Sequence, residues 1–224
     1  MIFHDAVSKE YRAAVHTAVD TILERGNETH RQTVRSLARG NVEIRVVPLK
    51  KINVSGVTGL ISRWRTNRRI DDEPMSFTES LGEVHITFSD WTFEVGGQRG
   101  VEGTLVHEGL HACDFAEIIS SFSRAETDPL DIFDLSLYEL ERRAAVASAE
   151  YLSLIGKEDY VNEGMQLGLV GLDPDGRPFV DIEGIESRMQ NGYRVNVSDQ
   201  GIMISKLLGL RPKGTGGLLA FLGF

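Results

Sequence analysis

Cysteine is the scarcest residue of this sequence. Cys113 stands alone among 224 residues, so no intrachain disulfide can form and a metal cage built from thiolates is excluded. A reducing compartment is consistent with that usage. Long hydrophobic runs are missing as well. No stretch of 18 apolar residues occurs, and the apolar C-terminal segment is broken by Arg211, Lys213 and several glycines, which argues against a membrane span. The opening MIFHDAVSKEYRA turns polar after three residues and has no apolar core of a signal peptide. The expectation is a soluble chain, either cytoplasmic or exported by a route the sequence does not display. Positive charge is in deficit: 24 Lys and Arg against 33 Asp and Glu give a net charge of -9. An acidic surface repels nucleic acid and anionic membranes, so neither is an expected partner. Ser62-Arg-Trp-Arg-Thr-Asn-Arg-Arg69 is the local exception, read as a solvated loop beside a strand.

What is present describes an ordinary globular chain, with 41% hydrophobic and 25% charged residues. Val7, Tyr11, Ala14, Val15, Ala18, Ile22 and Leu23 recur at helical spacing up to Gly26. A second helix is expected from Thr29 to Ala38. Val42–Val47 alternates as a half-buried strand up to Pro48, and Glu83–Phe88 alternates again. Another strand is expected over Gly59–Thr66. Gly96, Gly97 and Gly100 read as a loop before a helix from Val101 to Phe122. A second long helix is expected over Leu137–Ile155, where Ser136 and Glu139 are spaced as a capping box. Asp173-Pro-Asp-Gly176 reads as a turn between short strands. These elements predict an α+β fold in one domain spanning 1–224: helices and sheet over 1–100, two long helices over 101–155, and a C-terminal region over 156–224.

The stretch TLVHEGLHACDF, residues 104–115, carries the chemistry. Residues four apart on a helix share a face, so His107 and His111 can meet at one ion, about 2.0–2.1 Å from each ring nitrogen. Glu108 follows the first histidine and lies beside that ion, placed to take a proton from water. Zinc lowers the pKa of a water it binds from 15.7 to roughly 7, and a nearby carboxylate completes the activation. Val106, Leu110 and Cys113 form an apolar side turned away from the histidines, which makes Cys113 a core residue.

His-Glu-x-x-His in this setting resembles the zinc helix of the zincin metallopeptidases. The residues after His111, Ala112-Cys-Asp-Phe-Ala-Glu117, lack the Gly and the terminal ligand of the metzincin branch. The remaining likeness is to the gluzincin branch, in which a glutamate on a later helix is the third zinc ligand. Helix geometry ranks the acids of the second long helix. Glu141 shares a face with Leu137, Ala144, Ala145 and Ser148, small or apolar neighbours that can press against the first helix. Glu139 shares the wetter face of Arg142 and Arg143 and is available to the cap. Asp114, seven residues after His107, is read as accepting from the far nitrogen of a ligand histidine, with direct ligation as its alternative. His85 is the one further histidine placed to line a cleft. The resemblance also implies an edge strand that pairs with an extended substrate, assigned here to Glu83–Phe88, and an assisting side chain at the oxyanion, for which Tyr138, Tyr151 and Tyr193 are available.

The expected activity is therefore zinc-dependent hydrolysis of a peptide bond in a peptide or protein substrate. His107, His111 and Glu141 hold Zn2+ and Glu108 acts as general base. Two other readings stay open: a non-catalytic structural or interaction protein on the same scaffold, and a metallohydrolase of a non-peptide amide or a toxin-like protease with one target.

Overall fold

The computed structural model of the protein describes residues 1–156, 169–193 and 202–215. Its first half alternates short helices with strands: β1 (Ile2–Phe3), α1 (Lys9–Arg25), α2 (Glu28–Arg39), β2 (Glu43–Val47), α3 (Leu49–Ile52), β3 (Gly56–Leu60), α4 (Arg63–Asp72), α5 (Phe77–Leu81), β4 (Val84–Ser89) and α6 (Asp90–Glu94). Two long helices follow, α7 (Gly97–Arg124) and α8 (Leu137–Ile155). Then come the hairpin β5 (Val170–Leu172) and β6 (Pro178–Val180), α9 (Ile182–Arg188), and α10 (Ile204–Leu208). The protein is α+β, and a single apolar cluster runs through it from Val15 to Leu210. Among the described residues no helix is long and apolar enough to cross a membrane.

Local chemistry sets the element boundaries. Ser8 accepts from the Tyr11 amide and starts α1 at Lys9, and Val15, Ala18 and Ile22 bury its inner face. Asn27 caps α2 in a box closed by His30 rather than by an acid: the Asn27 amide donates to His30 Nδ1 at 3.1 Å. The other nitrogen of that ring lies 2.9 Å from the Ala147 carbonyl of α8. One neutral imidazole, Nε2 protonated, thus ties the start of α2 to α8. The expected capping box of α8 is present, with Ser136 and Glu139 bonded reciprocally.

Two expectations about the sheet need correction. Gly59–Thr66 is not a strand: β3 ends at Leu60, and Ser62 caps α4 by accepting from the Arg65 amide. The arginine-rich segment is accordingly a helix and not a loop. Arg65 and Arg69 reach the buried carboxylate of Glu83 at 2.9 and 2.6 Å, so much of its charge is spent inside the fold. The second correction concerns the edge. The strand order is β1-β2-β4-β3, with β1, β2 and β4 parallel and β3 antiparallel to β4. Glu83–Phe88 therefore supplies a central strand, and β3 forms the edge. Glycine made β3 hard to read, because it breaks the apolar alternation while permitting a close approach. A Cβ on Gly56 would stand 2.5 Å from Thr104 Cγ2 and 2.9 Å from Glu108 Cγ, both on α7.

α7 starts four residues earlier than expected, at Gly97, and is the axis of the molecule. It packs against α1, α2, α5 and α8 and against both β3 and β4. Gly109 lets α2 close in, since a Cβ there would meet Leu37 and Thr33 at 3.0 and 3.1 Å. The Asp173–Gly176 turn joins β5 to β6 as expected. Asp173 Oδ1 accepts from the Asp175 and Arg177 amides, and Gly176 takes a φ of +78° that a side chain would resist.

His30 links this packing to pH. Burial depresses its pKa below 6.5, outweighing the Ala147 carbonyl and the Glu150 charge. The unfolded chain therefore binds a proton below about pH 6.5 that the folded ring resists, and stability falls as pH drops through that value. In metal-free protein His30→Gln should cost about 1–3 kcal/mol at pH 7.5 through its unsatisfied partners. The gap to wild type should narrow by pH 5. Urea unfolding at both pH values measures it, and a pH-independent gap would rule out the neutral ring as the tie.

Candidate metal centre

The chain brings His107, His111 and Glu141 together. Every pair of their ligand atoms lies within 4.8 Å, and no other described group of three His, Cys, Asp or Glu side chains does the same. The histidines are one turn apart on α7, their rings edge to face with centroids 4.7 Å apart. Glu141 enters from the second turn of α8. Its Oε2 lies 3.6 Å from His107 Nε2 and its Oε1 3.6 Å from His111 Nε2.

Those separations discriminate between two explanations. A charge-assisted hydrogen bond would close to about 2.7–2.9 Å. Three atoms on a tetrahedral ion with bonds of about 2.0–2.1 Å stand about 3.3 Å apart. The observed spacing is nearer the second. Satisfaction of the polar atoms points the same way for the carboxylate. Glu141 Oε2, which faces His107, is buried with no hydrogen-bond partner, an arrangement that costs free energy unless something else meets it. Ser148 Oγ donates to the Ala144 carbonyl at 2.8 Å and lies 3.4 Å from His107 Nδ1. Its hydroxyl can thus accept from Nδ1–H and turn the Nε2 lone pair toward Glu141. The donor set of two imidazoles and one carboxylate can hold a divalent ion and leaves a coordination position free.

The electrostatics are those of a tight cluster. Burial pushes the His107 pKa down, but the Glu141 side chain and the Glu108 charge overcome it and the net shift is upward, with Arg188 opposing. His111 is held well below its usual range by burial and by the charge of His107. Burial also raises Glu108, with help from Glu141 and against His107 and the Thr58 hydroxyl.

Glu108 stands beside the cluster and not in it. Its Oε2 lies 2.8 Å from Thr58 Oγ1 on β3, and its backbone carbonyl lies 3.0 Å from the same hydroxyl. Gly56 makes this possible by letting the edge strand lie against α7. The carboxylate looks into a cleft of about 420 Å³, whose walls include His107, Ser148, Trp91, Leu152 and Arg188.

Other candidates fall elsewhere. Glu139 Oε2 accepts from the Ser136 amide and hydroxyl at 2.9 and 2.8 Å, so the cap consumes it. Asp114 pairs with Arg143 at 3.1 Å, its Oδ2 is buried without a partner, and it bonds neither histidine. The contact expected of it falls instead to Ser148. Burial lifts the Asp114 carboxyl to about 6. Tyr151 is fully buried and donates to Glu102 at 2.8 Å, while Tyr138 donates to Glu186 at 2.9 Å. Neither tyrosine reaches the cleft, and the Tyr193 side chain lies outside those described. His85 does not line the cleft either. It bonds Thr87 at 3.1 Å, against Gly59 of β3. Cys113 packs against the core, its thiol pushed up to about 12 by burial. Thr58 and Arg188 were missed from the sequence, because neither belongs to a motif and each arrives from an element distant along the chain.

Comparison with protein-family models, with curated proteins and with solved structures returned no match.

Titration with zinc tests the cluster. Wild type is expected to take up about one ion per chain, with uptake lost in His107→Ala and His111→Ala and strongly weakened in Glu141→Ala. Glu139→Ala should keep the ion and lose on the order of 0.5–2 kcal/mol from the helix cap. Undiminished binding by Glu141→Ala would remove α8 from the site.

Proposed function

We propose that this protein is a zinc-dependent peptidase of gluzincin-like type, and one observation carries the reading. Glu108 is a buried carboxylate held at the mouth of a His-His-Glu cluster without belonging to it. A site that only stored or structured a metal would have no use for that group. It would also burden itself with a raised pKa and a second carboxylate close to the first.

When bound, zinc would supply Lewis acidity, polarising a carbonyl oxygen and making water a stronger acid. The remaining steps belong to the chain's own residues. His107, His111 and Glu141 would hold the ion from two helices fixed by core packing, so the geometry precedes the substrate. Glu108 accepts the proton of the attacking water and returns it to the leaving amine. Burial and the neighbouring Glu141 raise its basicity, and Thr58 fixes which oxygen faces the cleft. Ser148 orients His107 through the far ring nitrogen.

A peptide is favoured over other amides by β3. This edge strand runs beside the cleft, antiparallel to β4, its only partner among the described residues, and an extended backbone can add to such an edge through main-chain hydrogen bonds. The edge-strand role assigned from sequence to Glu83–Phe88 passes to Gly56–Leu60.

Glu108→Gln is the decisive variant. The amide keeps the shape and the Thr58 contact but cannot accept a proton. Zinc content and melting temperature should stay near wild type, while cleavage of a mixed peptide library, read by mass spectrometry, falls by about 10²–10⁴-fold. Loss of zinc in Glu108→Gln would make this carboxylate a ligand. Undiminished cleavage would show that it is not the base.

A further inference from the structure

Arg188 is the cation of the cleft that the chemistry above does not use. It is half-buried at the last turn of α9 and shares the cleft wall with His107 and Glu108. Its charge is felt at His107, yet it forms no ion pair or hydrogen bond with any described residue. Neither of the cleft's own carboxylates, Glu108 or Glu141, pairs with it.

The arginine is nonetheless held in place. Ile185 and Met189 on either side of it are buried to 0% and 1% exposure. Between them, Glu186 accepts from Arg142 Nε at 3.0 Å and from the Tyr138 hydroxyl at 2.9 Å, both on α8. α9 is thereby clamped to the helix that supplies Glu141, and the backbone that carries the guanidinium has a set position relative to the metal cluster. Five N–H donors in a planar fork, partly withdrawn from water and without a partner among the described residues, make a site for a planar anion. The surroundings narrow the choice. Leu49, Val54, Trp91, Leu152 and Met189 give the rest of the wall an apolar character, suited to a substrate that presents one anionic group beside aliphatic surface.

We infer that Arg188 is a specificity-determining residue that binds a carboxylate of the substrate, so that the preferred peptides carry an acidic group next to the cleaved bond. This rests on the peptidase reading, since it assigns the partner of a group in that same cleft. The carboxylate can come from a chain terminus or from an Asp or Glu side chain, and the two sources are separable.

The test uses the full chain loaded with zinc and three leucine-based succinyl hydroxamates, which share a metal-binding head. One ends in -Leu-OH, one in -Leu-NH2 and one in -Leu-Glu-NH2. In wild type, calorimetry should show one of the two acids binding about 10- to 100-fold more tightly than the neutral amide, the range of a charge-assisted pair. Preference for -Leu-OH assigns a terminal carboxylate, and preference for -Leu-Glu-NH2 an acidic side chain. In Arg188→Gln the ratio of acid to amide should fall to near one, and Arg188→Lys should restore part of it, which separates lost charge from lost fold. Equal affinities in wild type, or a preference that survives in Arg188→Gln, would overturn the inference while the zinc-bound amide complex leaves the metal reading standing. A chain that takes up no zinc and binds none of the probes overturns both.

Discussion

The contact between α7 and α8 is the constraint on which the centre depends. It places a carboxylate 3.6 Å from two imidazole nitrogens. One oxygen of that carboxylate, Oε2, is buried without a hydrogen-bond partner. A fold built only for stability would replace this cluster with apolar side chains, because buried polar groups that do not satisfy one another are worse than hydrocarbon. Helix packing around it is dense. Ala144 and Ala145 of α8 are buried beside Glu141 in the sequence of that helix, and their small side chains let the helices approach. The energetic logic of the site is thus a local cost, sustained by a core large enough to bear it.

The edge strand contributes the second constraint. β3 owes its place beside α7 to Gly56, where any side chain would collide with Thr104 and Glu108. That approach brings Thr58 to the general-base candidate at 2.8 Å. One glycine therefore serves two ends: it seats the strand that can receive an extended chain, and it sets the orientation of the carboxylate that would act on it.

Legibility in the sequence followed the range of the interactions. Features written in adjacent or helically spaced residues could be read: the pairing of His107 with His111, the capping box that removes Glu139, the small face that carries Glu141 inward, the turn at Asp173–Gly176. Features that require two distant segments could not. The pairing of Thr58 with Glu108 spans fifty residues, and Arg188 reaches the cleft through a clamp on α8 that no periodicity announces. β3 was misplaced for a related reason, since glycine supplies room for a neighbour and leaves no apolar pattern of its own. Asp114 is the instructive miss. Its position on α7 is close to the ligand face, but Arg143 of α8 takes its carboxylate at 3.1 Å, and a serine a few residues farther along that helix meets the histidine instead.

Charge balance in the cleft connects the proposed metal to Arg188. Without an ion, the cleft sets the carboxylates of Glu108 and Glu141 against the single guanidinium of Arg188. A divalent cation held by the two histidines and Glu141 would offset both carboxylates. It would leave the cleft with an excess positive charge, located in a chain whose net charge is -9. Fields of opposite sign to the bulk surface are focused by low-dielectric walls such as those of Trp91 and Leu152. An anionic substrate would then be repelled by most of the molecule and drawn to one place on it. On this reading, metal and arginine act together: the ion makes the cleft positive, and the guanidinium gives that charge a geometry that a carboxylate can match.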